Sequence, residues 1–156
     1  MSLKAGRAMG LDVGVRRVGV AIADELDMIS SPLTTVLRRD GDLVELRDLA
    51  IAKGVDRLVV GIPTGLSGRE GPQAAVVREF ADALVAAVGP DIQVDFWDER
   101  LTTAVAERVL RESGNRRHRR KGDVDAVAAA VILQGYLDAG RARGLQRQKP
   151  IDADAR

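Results

Sequence analysis

The chain has 156 residues, 24 of them basic and 23 acidic, with 46% hydrophobic residues, 3% aromatic residues and no cysteine. This length suffices for one hydrophobic core, and the lack of cysteine excludes disulfide scaffolds, thiolate zinc sites and cysteine nucleophiles. His118 is the only histidine, so a histidine metal cluster is also excluded, and carboxylates remain as the main groups for chemistry.

The sequence also bears on location and domain organisation. No apolar run approaches the ~20 residues of a membrane span, and the polar start lacks the hydrophobic segment of a signal peptide. We therefore expect a cytoplasmic protein that does not contact membranes. Since no internal repeat or linker is present, residues 1–156 are expected to form one domain, with an ordered core of about residues 8–140 and a flexible basic tail at 141–156.

Basic residues are concentrated in one segment near the end of the chain. Residues 111–149 contain ten Arg and Lys against four Asp and Glu, a net charge of +6, whereas the rest of the chain has 14 basic against 19 acidic residues, a net charge of −5. A basic segment in a nearly neutral protein is typical of binding to a polyanion. A solvated surface loop is the alternative interpretation.

The hydrophobic pattern predicts an antiparallel hairpin followed by helices that alternate with short strands, an α/β mixed sheet flanked by helices. The continuously apolar run Leu58–Ile62 is typical of a central, parallel strand that is covered on both faces. A glycine-rich loop is expected at Pro63–Pro72 and a basic loop at Ser113–Gly122. The predicted strands are Met9–Val13, Val18–Ala23, Ile29–Leu37, Leu58–Ile62 and Ile92–Trp97, and the predicted helices are Asp42–Lys53, Gln73–Val88, Leu101–Glu112 and Asp123–Ala139.

Asp12 stands inside the first predicted strand, with Gly10 and Gly14 as neighbours on the same face. Aspartate is rare in strands, and burial of its charge is costly unless another group compensates it. The two glycines leave room for a ligand or another backbone to approach this face. The alternative is an aspartate that accepts a hydrogen bond from a loop N–H and has no functional role.

Glu99 directly follows the end of the last predicted strand. Ligands bind at the carboxyl ends of parallel strands, and side-chain alternation places Glu99 on the face of Trp97, whereas Asp98 falls on the face of Phe96. Glu99 is therefore a candidate site residue. A surface ion pair between Arg100 and one of these two acids is the alternative.

Two more acids open the last predicted helix. Residues two apart on a helix are separated by about 200° around its axis, so Asp123 and Asp125 cannot face the same site. Asp123 suits the N-cap position, where it would accept an orphan backbone N–H. Asp125 then projects on the side of Ala128, Ala129 and Ile132, a face that allows the helix to lie close to the sheet.

A shared site for Asp12, Glu99 and Asp125 would need a cation. Two like charges at ~4 Å repel by roughly 4 kcal/mol at an effective dielectric constant near 20, and a divalent cation relieves this repulsion. Oxygen ligands without His or Cys suit Mg²⁺ or Mn²⁺. Such a site can activate water for attack on a phosphodiester, and the basic loop would bind the phosphate backbone. The residues therefore support a nuclease hypothesis.

At these residues the sequence resembles the YqgF/RuvX family, RNase H-like proteins described as Holliday junction resolvases and as pre-16S ribosomal RNA nucleases. Four segments carry the resemblance, in the order of the family and over about residues 9–139. One departure is Ala23-Asp24, where the family often has Ser-Asp. The segments are Gly10–Ala21 (GLDVGVRRVGVA), Val60–Pro63 with Gly71–Ala74, Asp98–Thr103 (DERLTT), and Lys121–Ala130 (KGDVDAVAAA) with Ile132–Gln134.

The resemblance implies an RNase H-like fold and phosphodiester hydrolysis that depends on Mg²⁺ or Mn²⁺. It implies that Asp12, Glu99 and Asp125 are the metal-binding, catalytic acids, while Asp123 is a second candidate for the third ligand. It also implies a nucleic-acid partner, either precursor ribosomal RNA or branched DNA. A homodimer is left open. Substrate contacts are expected from Arg17, Arg100, Arg116, Arg117, Arg119, Arg120 and Lys121.

Three alternatives to an RNA nuclease follow from the same residues. The same chemistry could act on DNA junctions, because phosphate contacts carry no base information. The motif Leu11-Asp12-Val13-Gly14 also resembles the first phosphate motif of actin-like ATPases, although the chain is too short for a two-lobed cleft and lacks a second Gly-rich phosphate loop near its end. A non-catalytic RNA-binding assembly factor, with structural acids, is the third alternative.

Overall fold

A computed structural model of the chain describes residues 6–63, 69–98 and 121–154, and within the last range it describes side chains from 124 to 142. These ranges contain five strands and three helices that alternate as the hydrophobic pattern predicts. The strands are β1 (Arg7–Val13), β2 (Arg17–Ala23), β3 (Ser30–Leu37), β4 (Val55–Ile62) and β5 (Gln93–Asp98), and the helices are α1 (Asp42–Ala52), α2 (Pro72–Val88) and α3 (Lys121–Asp154).

The described strands form one mixed sheet in the order β3-β2-β1-β4-β5. β1 pairs antiparallel with β2, and β2 pairs antiparallel with β3, so the predicted hairpin is confirmed. β4 pairs in parallel with β1 on one side and with β5 on the other. Its last five residues are buried, and the prediction of a central, parallel strand is confirmed.

Helices cover both faces of the sheet. Alternate residues of β1, such as Met9 and Leu11, pack in one cluster with buried residues of α1 and α2. On the other face, Ala8 of β1 and Val59 of β4 pack with α3 through residues that include Leu133. Because Asp12 has the same parity as Ala8, it lies on the α3 face.

Helix α3 differs from the prediction in two respects. Its described part starts at Lys121, so Asp123 lies within the helix and the prediction of Asp123 as the N-cap is wrong. It also continues past the predicted end at Ala139 to Asp154. The prediction ends the helix before Gly140, but a glycine inside a helix costs only about 1 kcal/mol relative to alanine, so Gly140 need not end it. The flexibility of residues 141–156 stays a prediction.

The Ala23-Asp24 pair has a structural role. Ala23 is buried against α3, where a hydroxyl would need a partner. Asp24 Oδ1 accepts hydrogen bonds from the backbone N–H groups of Met28 at 2.7 Å and Ile29 at 3.2 Å. These bonds lower the pKa of Asp24 and fix the connection between β2 and β3.

Several predicted features lie outside the described residues. They are the middle of the glycine-rich loop at 64–68, the predicted helix Leu101–Glu112 and the basic loop up to residue 120. In the parts of the chain that are described, no helix combines the length and the apolar character that crossing a membrane requires.

Candidate active site

Asp12 lies near the carboxyl end of β1, half-buried on the face that α3 covers. Within the described ranges, no side chain or backbone group donates a hydrogen bond to its carboxylate, so the alternative of an Asp satisfied by a loop N–H has no support there. Its partner across the antiparallel pair is Gly19 of β2. Paired residues of this kind have Cα atoms about 4.5–5.5 Å apart, so whatever contacts Gly19 is a neighbour of Asp12.

Two glycines allow α3 to lie directly on the sheet. A Cβ atom at Gly19 would come 2.0 Å from the backbone O atom of Asp125, and one at Gly10 would come 2.8 Å from the backbone O atom of Ala129. No side chain fits in either gap. Gly10 is predicted to leave room for a ligand or another backbone, and the backbone of α3 approaches it.

Gly19 lies beside Asp12 at this helix contact, and it is not among the predicted site residues. It lies within the segment Gly10–Ala21 that carries the family resemblance. Alternation along β2 also places Arg17, Gly19 and Ala21 on one face. The signal for a close helix contact was therefore present, but the helix that makes the contact cannot be assigned from β2 alone.

Asp125 projects from the start of α3 into the region above β1 and β2, as the sequence predicts. Its Oδ2 atom accepts a hydrogen bond from Nε of Arg17 at 2.6 Å. The side chains are 32% exposed for Arg17 and 27% exposed for Asp125. Arg17, which we expected to contact substrate, is thus an ion-pair partner of a site carboxylate in this structure.

The two carboxylates affect each other electrostatically. The pKa of Asp12 is raised from 3.8 to about 6, first by burial and second by the negative charge of Asp125. Both causes favour the protonated acid. Asp12 and Asp125 are therefore neighbours on the α3 face of the sheet, and a site shared by Asp12, Glu99 and Asp125 stays a prediction.

The donor set at this point fits a hard divalent cation. Carboxylate oxygens are the ligands that Mg²⁺ and Mn²⁺ prefer, and a cation would offset both causes that raise the pKa of Asp12. Two acids meet here, and the described residues contain no group of three potential metal-ligating side chains. A third protein ligand would have to come from elsewhere in the chain.

The sheet register bears on where that ligand could come from. Leu11 of β1 is level with Val60 of β4, which is level with Phe96 of β5. Trp97, the next residue, packs against the α3 face of the sheet, as side-chain alternation predicts. Glu99 follows β5 in sequence but lies outside the described residues.

Most of the expected substrate contacts also fall outside the described parts of the chain. Lys121 begins α3, but its side chain is not among those described, and the same holds for Asp123. Arg17 alone of the expected substrate-binding residues has a described side chain. The residues that lie outside are Arg100, Arg116, Arg117, Arg119 and Arg120.

Comparison with known proteins settles the family. The model of the RuvX family, described as "Holliday junction resolvase", matches residues 6–139 of the chain. The chain belongs to the RuvX family. The prediction made from the four sequence segments is confirmed, since the match spans all of them.

Relatives of this RuvX chain are similar over nearly their whole length. A protein of Moorella thermoacetica named "Putative pre-16S rRNA nuclease" is 51% identical over 134 residues, which are 85% of this chain and 94% of the relative. A protein of Symbiobacterium thermophilum with the same name is 47% identical over 139 residues, 88% of this chain and 95% of the relative.

Solved structures confirm the RNase H-like fold class. Thermus thermophilus RuvC in complex with a Holliday junction substrate matches with a TM-score of 0.57 and 15% identity, over 87% of this chain and 97% of RuvC. The fowlpox virus resolvase in complex with Holliday junction DNA matches with a TM-score of 0.52 and 11% identity, over 85% and 97% of the two chains. At these identities the likeness concerns the fold.

Proposed function

We propose that the chain is a divalent-metal-dependent endonuclease that hydrolyses phosphodiesters in structured RNA, with Asp12, Glu99 and Asp125 as metal ligands. The observation that carries the proposal is the meeting of Asp12 and Asp125 on one face of the sheet, with the raised pKa of Asp12. Two partly buried acids repel each other without a cation, and hydrolysis of nucleic acid is the activity that the family and relative names share.

The third ligand is assigned to Glu99 from its sequence position. β5 runs parallel to β1 through β4, so both strands end at the same edge of the sheet, close to Asp12. Glu99 has the parity of Trp97, which packs on the α3 face. Mg²⁺ or Mn²⁺ is the cation that this oxygen-only set would hold.

Each group of the chain has a distinct task in this proposal. A bound divalent cation supplies activation of water and neutralisation of charge at the phosphate that is cleaved. Asp12 and Asp125 provide carboxylate oxygens from rigid elements, which fixes the position of the cation relative to the sheet. The basic loop neutralises the backbone phosphates on either side of the cleaved bond.

Precursor 16S ribosomal RNA is the substrate we propose, with processing of its 5′ end as the reaction. The support is the shared name of relatives that are 44–51% identical to this chain. A Holliday junction is the second candidate, because the description of the family names it. Phosphate contacts do not discriminate between the two.

Cleavage of the two candidate substrates by the same preparation tests the proposal. We expect a precursor 16S RNA fragment to be cut in Mg²⁺ or Mn²⁺, and a four-way DNA junction to be cut less or not at all. Cleavage of the junction alone would contradict the choice of RNA. RNA binding without any metal-dependent turnover would instead support a non-catalytic assembly factor.

The variant Asp12→Asn separates catalysis from binding. It removes one carboxylate charge with little change in shape, so we expect loss of turnover and retained RNA binding. Asp91→Asn is the matched control, because Asp91 is exposed and precedes β5, at the opposite edge of the sheet from Asp12. Equal turnover of Asp12→Asn and Asp91→Asn would contradict the assignment of Asp12.

A further inference from the structure

The ion pair between Arg17 and Asp125 lies within the candidate active site itself. The two residues are 108 apart in sequence and join β2 to α3 through the 2.6 Å bond from Nε of Arg17 to Oδ2 of Asp125. A bond between a guanidinium and a carboxylate is stronger than one between neutral groups. One oxygen of a proposed metal ligand is therefore already bound to a cationic group of the chain.

The backbone keeps Arg17 within reach of Asp125. The start of α3 touches β2 at Gly19, where the backbone of Asp125 leaves no room for a Cβ atom. Arg17 precedes Gly19 by two residues and so lies on the same face of β2. The backbones of the two residues therefore stay close while α3 lies on the sheet, and rotation of the Arg17 side chain alone can make or break the bond to Asp125.

Two other described arginines near this edge, Arg38 and Arg39, are bound elsewhere. Arg38 donates from a terminal nitrogen to the backbone O atom of Gly14 at 2.8 Å, and its guanidinium lies 4.6 Å from the ring centre of Phe80. Arg39 pairs with Glu45 at 3.4 Å. Among the described side chains, the positive charge at the two site carboxylates is that of Arg17.

The charge of Arg17 opposes a metal ion at the same carboxylates. Asp12 and Asp125 carry two negative charges when both are ionised, and Arg17 neutralises one of them. A divalent cation that contacts both acids comes close to the guanidinium, and like charges repel. A cation bound through Oδ2 of Asp125 would share that oxygen with the N–H group of Arg17.

A backbone phosphate changes this balance. Guanidinium and phosphate match in geometry and charge, and the pair forms two parallel hydrogen bonds. A phosphate in the site therefore gives Arg17 another anion to bind and adds a negative charge beside the cation. Both effects favour binding of the divalent cation to Asp12 and Asp125.

We propose that Arg17 makes metal binding depend on nucleic acid: it holds Asp125 in the free protein and turns to a backbone phosphate in the complex, which releases the carboxylate for the cation. This inference rests on the proposed function, since it takes Asp12 and Asp125 to be metal ligands. Arg17 acts as a positioning residue. By linkage, nucleic acid and metal each raise the affinity for the other by the same factor.

Mn²⁺ binding to the full chain without nucleic acid tests the first half of the proposal. Calorimetric titration of Arg17→Gln should give affinity for Mn²⁺ at least about fivefold tighter than the wild type, the lower end of typical coupling between sites. Arg17→Lys keeps the charge and should stay close to the wild type. A purely structural role for Arg17 predicts unchanged or weaker Mn²⁺ binding by Arg17→Gln, and either result would overturn the proposal.

Binding of a labelled RNA hairpin, followed by fluorescence anisotropy, tests the second half. Ca²⁺, which takes the same oxygen ligands, should tighten hairpin binding by the wild type, and Arg17→Gln should lose most of this effect. An equal effect of Ca²⁺ on both proteins would overturn the coupling. Asp12→Asn controls for Ca²⁺ acting on the RNA alone.

The same data separate the failure of this proposal from that of the proposed function. If the wild type binds Mn²⁺, Asp12→Asn weakens that binding and Arg17→Gln leaves it unchanged, the metal site stands and only the coupling is wrong. If neither the wild type nor Arg17→Gln binds Mn²⁺, with or without the hairpin, the metal site itself is wrong and both proposals fall.

Discussion

Asp12 is a half-buried acid in a strand, and the negative charge of Asp125 lies close to it. Its carboxyl holds a proton more tightly in the folded chain, with a pKa of about 6, than at its ordinary value of 3.8. Between these two pH values the folded state binds more protons than the unfolded state. The contribution of Asp12 to the free energy of unfolding of the metal-free protein should therefore fall as the pH rises from about 4 to about 6.

This pH dependence should be reduced in Asp12→Asn. One pKa unit corresponds to about 1.4 kcal/mol, so ionisation of Asp12 destabilises the metal-free fold by up to about 3 kcal/mol. Denaturant unfolding in a chelator should show Asp12→Asn to be more stable than the wild type at about pH 7.5, with a smaller difference at about pH 4. Asp91→Asn should follow the wild type. If the free energies of unfolding of the wild type and Asp12→Asn change equally with pH, the folded structure does not raise the pKa of Asp12.

The contact of α3 with β1 and β2 decides where Asp125 lies. Gly10 and Gly19 face the helix from the sheet, and Ala129, buried on the opposing side, keeps the helix close. Small residues on both surfaces allow this approach. The position of the candidate metal site is therefore set by packing between a helix and two strands.

Gly19→Ala should displace the start of α3 and Asp125 with it. The added Cβ atom would lie 2.0 Å from a backbone oxygen, which cannot move without the helix. We expect a loss of about 3 kcal/mol in the free energy of unfolding, the upper end of the usual cost of overpacking, together with weaker Mn²⁺ binding.

Gly140→Ala is the matched control for this change. Gly140 lies in α3, and a Cβ atom there meets nothing within 4 Å. Alanine is a better helix former than glycine by about 0.5–1 kcal/mol, so this variant should be slightly more stable than the wild type. Similar stability changes for the two variants would contradict the steric explanation of Gly19.

Across the whole molecule, local sequence patterns predict where the helices and strands lie better than they predict which of them contact each other. Alternation in the first strands predicts the hairpin, and the apolar run Leu58–Ile62 predicts a central strand, because burial on both faces leaves a direct mark on composition. The N-cap at Asp123 and the end of α3 at Ala139 are wrong. The end is wrong because a polar helical surface resembles a loop in composition. Both errors concern one helix, and the number and order of the described elements follow the prediction.

The candidate site was predictable in part for the same reason. Asp12 and Asp125 stand out because an acid in a strand and an acid on a small-residue helix face both need an explanation. The bond between Arg17 and Asp125 joins residues 108 apart in sequence, and no periodicity reports such a contact. Membership of the RuvX family was read from four short segments, each of which is weak alone.

The basic segment, residues 111–149, predicts how the affinity for RNA depends on salt concentration. If Arg116 and Arg117 contact phosphates, log affinity for RNA should fall by roughly 0.7–0.9 per log unit of salt for each contact. Replacement of both by Glu should weaken binding and flatten the slope by at least about 1.4. The measurement is a salt titration of RNA affinity.

Arg47→Glu with Lys53→Glu is the control for that titration. It makes the same change in charge at α1, which packs on the face of the sheet opposite to α3. The control should keep the wild-type slope. An unchanged slope for the Arg116 and Arg117 variant would show that these residues do not contact phosphates. The segment would then be a solvated surface loop.

In the proposed site, acids distant in sequence share one divalent cation. A crystal structure with Mn²⁺, read in anomalous difference maps, is the direct test of this shared site. We expect one or more anomalous peaks within about 2.0–2.3 Å of carboxylate oxygens of both Asp12 and Asp125, with an oxygen of Glu99 as a further ligand. Crystals that contain Mn²⁺ but show no peak between these two acids, with Asp125 still bound only to Arg17, would contradict it.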